Sequence, residues 1–169
     1  MRLDMQSLRL DRVDDIKKAP FVHLQQLYEF EFSCITKEEL NLDGLYDQNK
    51  IMQYWSPFGY NAYMIYAGEL PVGFAVINLS SMINEDKATR DIAEFFVMPA
   101  YRKFGVGRWA AIKLFDSYKT QWEVRQLPGL DYAKAFWESV IRDYTQGNFE
   151  SLVLDEPSWK GYLQRFSSL

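Results

Sequence analysis

The chain has 169 residues, of which 48% are hydrophobic and 25% charged, and its formal net charge is −4 at pH 7. This composition predicts a globular protein, and the negative charge argues against a broad nucleic-acid-binding surface, which needs positive charge. One cysteine and one histidine argue against an internal disulfide and against a Cys/His metal site. No stretch reaches the ~18 apolar residues of a membrane span, so we expect a protein of the reducing cytoplasm. We also expect a single domain, residues 1–169.

The first 55 residues predict one strand followed by helices. Loose alternation over residues 5–12 favours a strand. Pro20 suits the first turn of a helix, where its missing N–H has no cost. Thr36 and Glu39 have the spacing of a capping box and predict the start of a second helix, and a short helix is expected near 46–55. The apolar residues after Pro20 fall on one helical stripe: Phe21, Leu24, Leu27 and Tyr28.

The rest of the chain predicts a hairpin and then helices and strands in alternation. Residues 61–67 and 70–79 flank a short Gly-Glu turn and favour a β-hairpin. The later predicted elements are a strand at 91–98, a helix at 105–119, a strand at 120–127, a helix at 130–145, and strands at 149–154 and 159–166. This order, β-αα-βββ-α-β-α-β-β, predicts a mixed α/β sheet with helices on both faces.

The most informative segment is VMPAYRKFGVGR, residues 97–108, which joins a predicted strand to a predicted helix. Gly105 and Gly107 open the helix and let the backbone approach a ligand closely. The free amide groups and the dipole of a helix start attract an anion. Three cationic side chains add positive charge to the segment: Arg102, Lys103 and Arg108. The segment therefore predicts a binding site for a pyrophosphate.

Three classes of phosphate-binding loop compete for this segment. A P-loop requires Gly-Lys-Ser/Thr after its second glycine, whereas Arg108 follows it here. A dinucleotide fingerprint matches formally, because residues 105–110 fit G-x-G-x-x-A and Glu123 follows downstream. Pro99 and a polar turn separate the strand from the first glycine. This separation argues against a dinucleotide, because the dinucleotide-binding strand runs almost directly into its first glycine.

The third class is a family resemblance. The pattern Arg102-x-x-Gly105-x-Gly107 resembles the acetyl-CoA loop of the GNAT superfamily of acyl-CoA N-acyltransferases. The lead-in VMPAYR at 97–102 and the strand LPVGF at 70–74 also resemble that family. So does Ala133-x-x-Phe136 in the later helix, and the order of elements agrees over residues 5–155.

The resemblance implies a GNAT-like fold and an N-acetyltransferase that moves an acetyl group from acetyl-CoA to an amine by direct attack in a ternary complex. Glu94, three residues before Val97, is the candidate base. The resemblance places the pantetheine arm of the cofactor along Phe96, Val97 and Met98, and its pyrophosphate at Arg102, Lys103, Phe104, Gly105, Val106, Gly107 and Arg108.

Two positions depart from the family pattern. Leu130 stands where the family often has an Asn that bonds the pantetheine, and Trp137 stands where it usually has a Tyr that protonates the leaving thiolate. We expect Trp137 to pack against the pantetheine arm, although a plain core position is the alternative. The departures also keep open a second function, an acyl-CoA-binding sensor or interaction module with weak catalysis.

The acceptor amine is not identified by the sequence, and a homodimer is compatible with it. Acidic side chains in the first third of the chain are expected to be solvated for the most part. Any that line the mouth of the site would attract a cationic amine. They are Glu29, Glu31, Glu38, Glu39, Asp43 and Asp47.

Overall fold

A computed structural model describes residues 3–55 and 59–169 of the chain. Its elements in chain order are β1 (Leu8–Arg12), α1 (Lys18–Thr36), α2 (Gln48–Met52), β2 (Tyr60–Ala67), β3 (Leu70–Asn78), β4 (Thr89–Val97), α3 (Val106–Ser117), β5 (Gln121–Gln126), α4 (Asp131–Thr145), β6 (Phe149–Glu156) and β7 (Trp159–Ser167). Short 3₁₀ turns precede β1, follow α2 and follow β4. Within the described part of the chain, no helix is both long and apolar enough to cross a bilayer.

The strands form a seven-stranded mixed sheet in the order β1-β2-β3-β4-β5-β7-β6. Strands β1 and β2 pair antiparallel, as do β5 with β7 and β6 with β7. Strands β4 and β5 pair parallel, and α3 provides the crossover that a parallel pair requires. The predicted mixed α/β sheet is confirmed.

Contacts along the backbone divide the chain into two compact units. The first unit spans Met1–Val76 and Phe95–Phe104, and the second spans Ile77–Glu94 and Gly105–Leu169. The expectation that residues 1–169 form a single domain stays a prediction.

Aromatic rings from α1, β3 and β4 form the core of the first unit. Phe74 on β3 lies 5.1 Å from Phe21 and 5.6 Å from Tyr28, measured between ring centroids, in edge-to-face contacts. Phe96 on β4 contacts Tyr28 at 5.8 Å and Phe74 at 5.7 Å. Edge-to-face pairs of this kind add to the free energy of burial. The inward stripe of α1 thereby fixes the C-terminal half of β4.

The structure corrects two expectations for α1. Leu27 is 48% exposed rather than buried, while Gln25 and Glu29 are buried on the inward face instead. Thr36 ends α1 and does not begin a new helix, so the capping-box prediction was wrong. The helix continues to Thr36, whose hydroxyl donates to the carbonyl of Phe32. Lys37 then adopts a left-handed conformation, with a φ of 59°, and terminates the helix.

Strands β5 and β7 carry the core of the second unit against α3 and α4. Phe115 on α3 lies 5.1 Å from Trp122 on β5 and 4.8 Å from Phe166 on β7, measured between ring centroids. Trp122 and Phe166 stack with an interplanar angle of 9°. Trp137 on α4 joins this cluster at 6.4 Å from Phe115. These contacts hold the C-terminal part of α3 and the body of α4 to one face of the sheet.

Candidate functional site

The loop between β4 and α3 has the backbone geometry of an anion-binding helix start. A 3₁₀ turn, Pro99–Tyr101, follows β4, and Lys103 then takes a φ of 65°. Gly105 is the N-cap of α3 and is left-handed, with a φ of 88°. Within the part of the chain that the structure describes, no side chain caps this helix end, so its first N–H groups lack a capping side chain. Uncapped amides and the helix dipole together suit an anion.

Arg102 positions this loop through its side chain. Its Nε donates to the carbonyl of Val97 at 2.8 Å, and Nη1 and Nη2 donate to the Glu31 carboxylate at 2.8 and 2.6 Å. The guanidinium also lies 5.6 Å from the centroid of the Phe96 ring. Because these contacts occupy three of its nitrogen atoms, Arg102 ties the loop to α1 and to the end of β4.

The other two cations of the loop, Lys103 and Arg108, are both exposed. Arg108 Nη1 donates to Asp143 Oδ2 on α4 at 2.7 Å, and both side chains of this ion pair are open to solvent. An exposed pair of this kind is weak and can exchange partners at small cost. The positive charge of Lys103 and Arg108 therefore stays close to the helix start.

The pairing of β4 with β5 ends before either strand does. Their register runs from Thr89 and Gln121 to Ile92 and Val124, five residues before the end of β4. Further along, the Met98 N–H donates to the carbonyl of Val72 at 2.8 Å, which ties the end of β4 to β3. Successive N–H groups of a strand point to opposite edges, so the Val97 N–H points away from β3.

Gly73 allows β3 and β4 to approach each other closely. A Cβ atom placed at Gly73 would lie 2.3 Å from the Phe96 carbonyl oxygen and 3.2 Å from the Val97 Cα. Only glycine fits this position, because both neighbouring atoms belong to the backbone. Phe96 and Val97, which the family resemblance places along the pantetheine arm, are thus held by direct packing on β3.

A buried ion pair lies beside the predicted base. Arg125 on β5 donates from Nε and Nη2 to the two carboxylate oxygens of Asp91 on β4, at 2.7 and 2.8 Å. Arg125 also lies 4.4 Å from the centroid of the Trp159 ring. Glu94, the candidate base, is half-buried, and its charge acts on the same guanidinium.

The electrostatics of this pair follow from its burial. Burial raises the pKa of Asp91, and the hydrogen bonds and charge of Arg125 offset this only in part. Burial disfavours the charged form of Arg125, but hydrogen bonds to Asp91, with the charges of Glu123 and Glu94, raise its pKa overall. Arg125 therefore stays charged.

Asp91 was missed by sequence reasoning. The sequence feature that could have identified it is an acidic residue at the start of the apolar run DIAEFFVM, together with an arginine in the next predicted strand. A second ion pair on the same sheet joins Glu123 to Arg165 at 3.0 Å, and Ser81 donates to Glu123 at 2.7 Å. This face of β4, β5 and β7 is therefore polar but largely paired.

The two positions that depart from the family pattern lie on α4. Leu130 is the N-cap of α4, and its apolar side chain is buried and provides no capping hydrogen bond. Trp137 is 5% exposed and lies between Phe136, at a centroid distance of 5.0 Å, and Phe115.

The acidic residues in the first third of the chain differ in burial and in pairing. Glu29 is buried and Glu31 binds Arg102. The others are exposed: Glu38, Glu39, Asp43 and Asp47.

Comparison with known proteins gives matches among solved structures. No protein-family model matches the chain, and no curated protein matches it. An acetyltransferase from Thermus thermophilus is 17% identical with a TM-score of 0.69, over 98% of this chain and 100% of that one. A GNAT-family acetyltransferase from Staphylococcus aureus is 14% identical with a TM-score of 0.64, over 96% and 99%.

A third match was crystallised with the cofactor that the sequence predicts. PaiA N-acetyltransferase from Thermoplasma acidophilum, in complex with coenzyme A, is 9% identical with a TM-score of 0.63, over 95% of this chain and 99% of that one. The chain has the GNAT fold. The similarity extends over nearly the whole of both chains, so the predicted GNAT-like fold is confirmed. The antiparallel pairs of the sheet also separate it from the parallel sheet of dinucleotide-binding domains.

Proposed function

We propose that this protein is an N-acetyltransferase that transfers an acetyl group from acetyl-CoA to an amine by direct attack in a ternary complex. The observation that carries the proposal is the start of α3 at Gly105, which has no side-chain cap and follows β4 and a short 3₁₀ turn in a GNAT fold. Bound acetyl-CoA would supply an activated thioester, and the chain would supply binding, orientation and proton transfer.

The residues of the loop fit a pyrophosphate. The backbone amides of Phe104, Gly105, Val106, Gly107 and Arg108 would bind the phosphate oxygens, and the left-handed conformation of Gly105 at the N-cap supports this assignment. Lys103 and Arg108 would add charge from the solvent side. Arg102 would act through position, because its side chain already binds Glu31 and Val97.

The end of β4 would hold the pantetheine arm through its backbone, along Phe96, Val97 and Met98. The Met98 N–H is already donated to β3, and the Val97 carbonyl already accepts from Arg102. The Val97 N–H, which points to the other edge of the strand, is therefore the donor that would bind the arm. Trp137 would pack on the arm from α4, in place of the tyrosine that the family usually has there.

Glu94 would remove the proton from the attacking amine, directly or through one water molecule. An amine attacks only in its neutral form, and a positioned base accelerates such a step by about 10²–10⁴-fold. Glu94 is half-buried and its charge interacts with Arg125, which favours the carboxylate form that a base requires.

Two substitutions at one glycine test cofactor binding. Gly107 lies in the first turn of α3, so Gly107→Ala should stabilise the helix by about 0.5–1 kcal/mol. The added methyl group should nevertheless weaken acetyl-CoA binding by blocking the approach of the pyrophosphate. Gly107→Glu should abolish binding by adding a like charge. Gly59→Glu is the control, because it adds the same charge at a glycine where no atom of the described part of the chain lies within 4 Å of a Cβ atom.

Titration calorimetry with acetyl-CoA measures these affinities, and thermal unfolding measures stability. The proposal predicts that Gly107→Ala raises the melting temperature while lowering affinity, and that Gly59→Glu changes neither. Unchanged affinity in both Gly107 variants would refute the pyrophosphate assignment. Tight binding of NADH by the parent protein would support the dinucleotide alternative.

One observation favours a second function, an acyl-CoA-binding sensor or interaction module. Leu130 offers no side-chain hydrogen bond at the start of α4, and Trp137 cannot transfer a proton at neutral pH, because its indole N–H only donates. Release of free thiol from acetyl-CoA distinguishes the two functions. A panel of polyamines, aminoglycosides, amino acids and peptide N-termini should contain an amine that accelerates release. Binding without acceleration by any amine of the panel would favour the sensor.

A further inference from the structure

The outward face of α1 carries apolar side chains that have no role in the proposed function. Leu27 is 48% exposed, Phe30 is 68% exposed, and Cys34 is exposed one turn further along the helix. The opposite face of the same helix packs on β3 and β4 through Phe21 and Tyr28. A helix with apolar side chains on two opposite faces is typical of one that is covered on both, so the outward face calls for a partner.

The exposed residues have the spacing of a seam between two helices. Four exposed residues follow one another at intervals of four, three and four positions: His23, Leu27, Phe30 and Cys34. This spacing is the a/d repeat of a coiled coil, in which each side chain inserts between those of a facing helix. We call these four residues the outer stripe of α1. Its spacing fits a second helix as the partner.

The outer stripe is complementary to itself when two copies of α1 run antiparallel. A two-fold axis midway between Leu27 and Phe30 places Leu27 opposite the partner subunit's Phe30. The same axis places His23 opposite the partner subunit's Cys34. Each larger ring therefore faces a smaller side chain, which is the arrangement that fills the space between two packed elements.

Charge also favours the antiparallel direction. Lys18 begins α1, and Glu39 follows its end. The two-fold axis brings Lys18 beside the partner subunit's Glu39, whereas parallel helices would bring like charges together. The helix dipoles act in the same sense, because the positive start of each helix lies beside the negative end of the other. Beside the stripe, Gln26 would face the partner subunit's Glu31, so no like charges meet there.

The segment after α1 adds apolar surface next to the stripe. Gln26 Nε2 donates to the Tyr46 carbonyl at 3.3 Å, and Gln26 Oε1 accepts from the Tyr46 N–H at 2.8 Å. These two bonds return the chain from the end of α1 to its middle. Leu40 and Leu42 lie within the returning segment, and both are exposed.

We infer that the outer stripe of α1 binds a second copy of this chain, with the two helices antiparallel about an axis between Leu27 and Phe30. A specific interface buries about 1,000 Å² or more. The stripe spans 11 residues, about 16 Å of helix. The dimer is therefore a weak one, with a dissociation constant of about 1–100 µM.

Sedimentation of the full chain over a range of concentrations tests the interface. Phe30→Glu removes the largest ring of the stripe and adds a charge, and each dimer carries the change twice. Loss of a central interface side chain costs a factor of about 30 or more, so the dissociation constant should rise by about 10²–10³-fold. The control is Val153→Glu on β6, where the parent side chain is 73% exposed. It should leave the dissociation constant at the parent value, and both variants should keep the parent's circular dichroism spectrum.

Cross-linking tests the direction of the two helices. In His23→Cys the new thiol should form a disulfide with Cys34 of the partner subunit under mild oxidation, because facing positions of a helix pair come within disulfide reach. Most of the chain should then run as a dimer on a non-reducing gel. The control is Thr36→Cys, which adds a thiol at an exposed position of α1 outside the stripe. This variant and the parent should remain monomeric on the same gel.

The outcomes decide the inference in each case. A parent that sediments as a monomer at about 500 µM overturns it. A dimer that persists in Phe30→Glu but dissociates in Val153→Glu also overturns it and assigns the interface to the edge strand β6. Disulfides between two copies of position 23, identified by mass spectrometry, overturn the antiparallel arrangement. Disulfides between positions 23 and 34, together with dissociation of the dimer in Phe30→Glu alone, support it.

Discussion

The contact between Gly73 and the end of β4 yields a sharp prediction. A Cβ atom at Gly73 would lie 2.3 Å from the Phe96 carbonyl oxygen and 3.3 Å from the Ile65 side chain. Ordinary contact of a Cβ atom begins at 3.4 Å. Gly73→Ala therefore requires a backbone displacement of about 1 Å between β3 and β4. The displacement acts on Phe96 and Val97, the residues proposed to hold the pantetheine arm.

The expected cost follows from the kind of atom that must move. Overpacking of a buried site costs about 1–3 kcal/mol, and a clash with backbone falls at the upper end because no rotamer change relieves it. Replacing glycine with alanine in a strand stabilises the folded protein by about 0.5–1 kcal/mol, because alanine has fewer accessible conformations in the unfolded chain. We expect a net loss of about 2 kcal/mol, which for a chain of this size lowers the melting temperature by about 4–8 °C.

Urea denaturation followed by circular dichroism measures this loss, with Gly59→Ala as the control. Among the described residues, no atom lies within 4 Å of a Cβ atom at Gly59, so that variant should keep the stability of the parent or exceed it slightly. Acetyl-CoA affinity should fall in Gly73→Ala and remain unchanged in Gly59→Ala. If the two variants differ in unfolding free energy by less than about 0.5 kcal/mol, the close approach of β3 and β4 is refuted.

Three further predictions concern single side chains. Glu94→Gln should lower turnover by about 10²–10⁴-fold and remove the limb of the rate profile that rises with pH; an unchanged rate and profile would exclude Glu94 as the base. Trp137→Phe should weaken acetyl-CoA binding with little loss of stability, and Trp137→Tyr should raise turnover by restoring an acid; a lower melting temperature with normal affinity would place Trp137 in the core alone. The pKa of Glu138 is lowered mainly by a hydrogen bond from Lys134 and, to a smaller extent, by one from Ser151. The ionised carboxylate therefore stabilises the folded protein above its unfolded pKa near 4.5, and this contribution is lost as the pH falls through the lower pKa of the folded state. Glu138→Gln should therefore be about 1 kcal/mol less stable than the parent at pH 7 and nearly equal to it at pH 3; a difference in urea midpoint that does not change with pH would contradict this.

The sequence by itself determined the order of the elements and the position of the loop. Residues 61–67, 70–79 and 105–119 were predicted within a few residues of β2, β3 and α3. These features depend on side-chain periodicity and on glycine and proline chemistry, which act over a few neighbouring residues. The pattern Arg102-x-x-Gly105-x-Gly107 belongs to the same class, because a turn that opens a helix is specified by the residues within it.

Only the tertiary structure decided which polar groups meet. Arg102 binds Glu31 across 71 positions of the chain, Arg125 binds Asp91 across 34, and Gln126 binds Gln164 across 38. These contacts depend on strand order and register, which local patterns do not encode. The capping-box error is of another kind: Thr36 has the spacing of a capping box, but its hydroxyl donates to the Phe32 carbonyl one turn back, and α1 ends there. The end of the β4–β5 register at Ile92 and Val124 is likewise set by how the two strands pack and not by the sequence of either one.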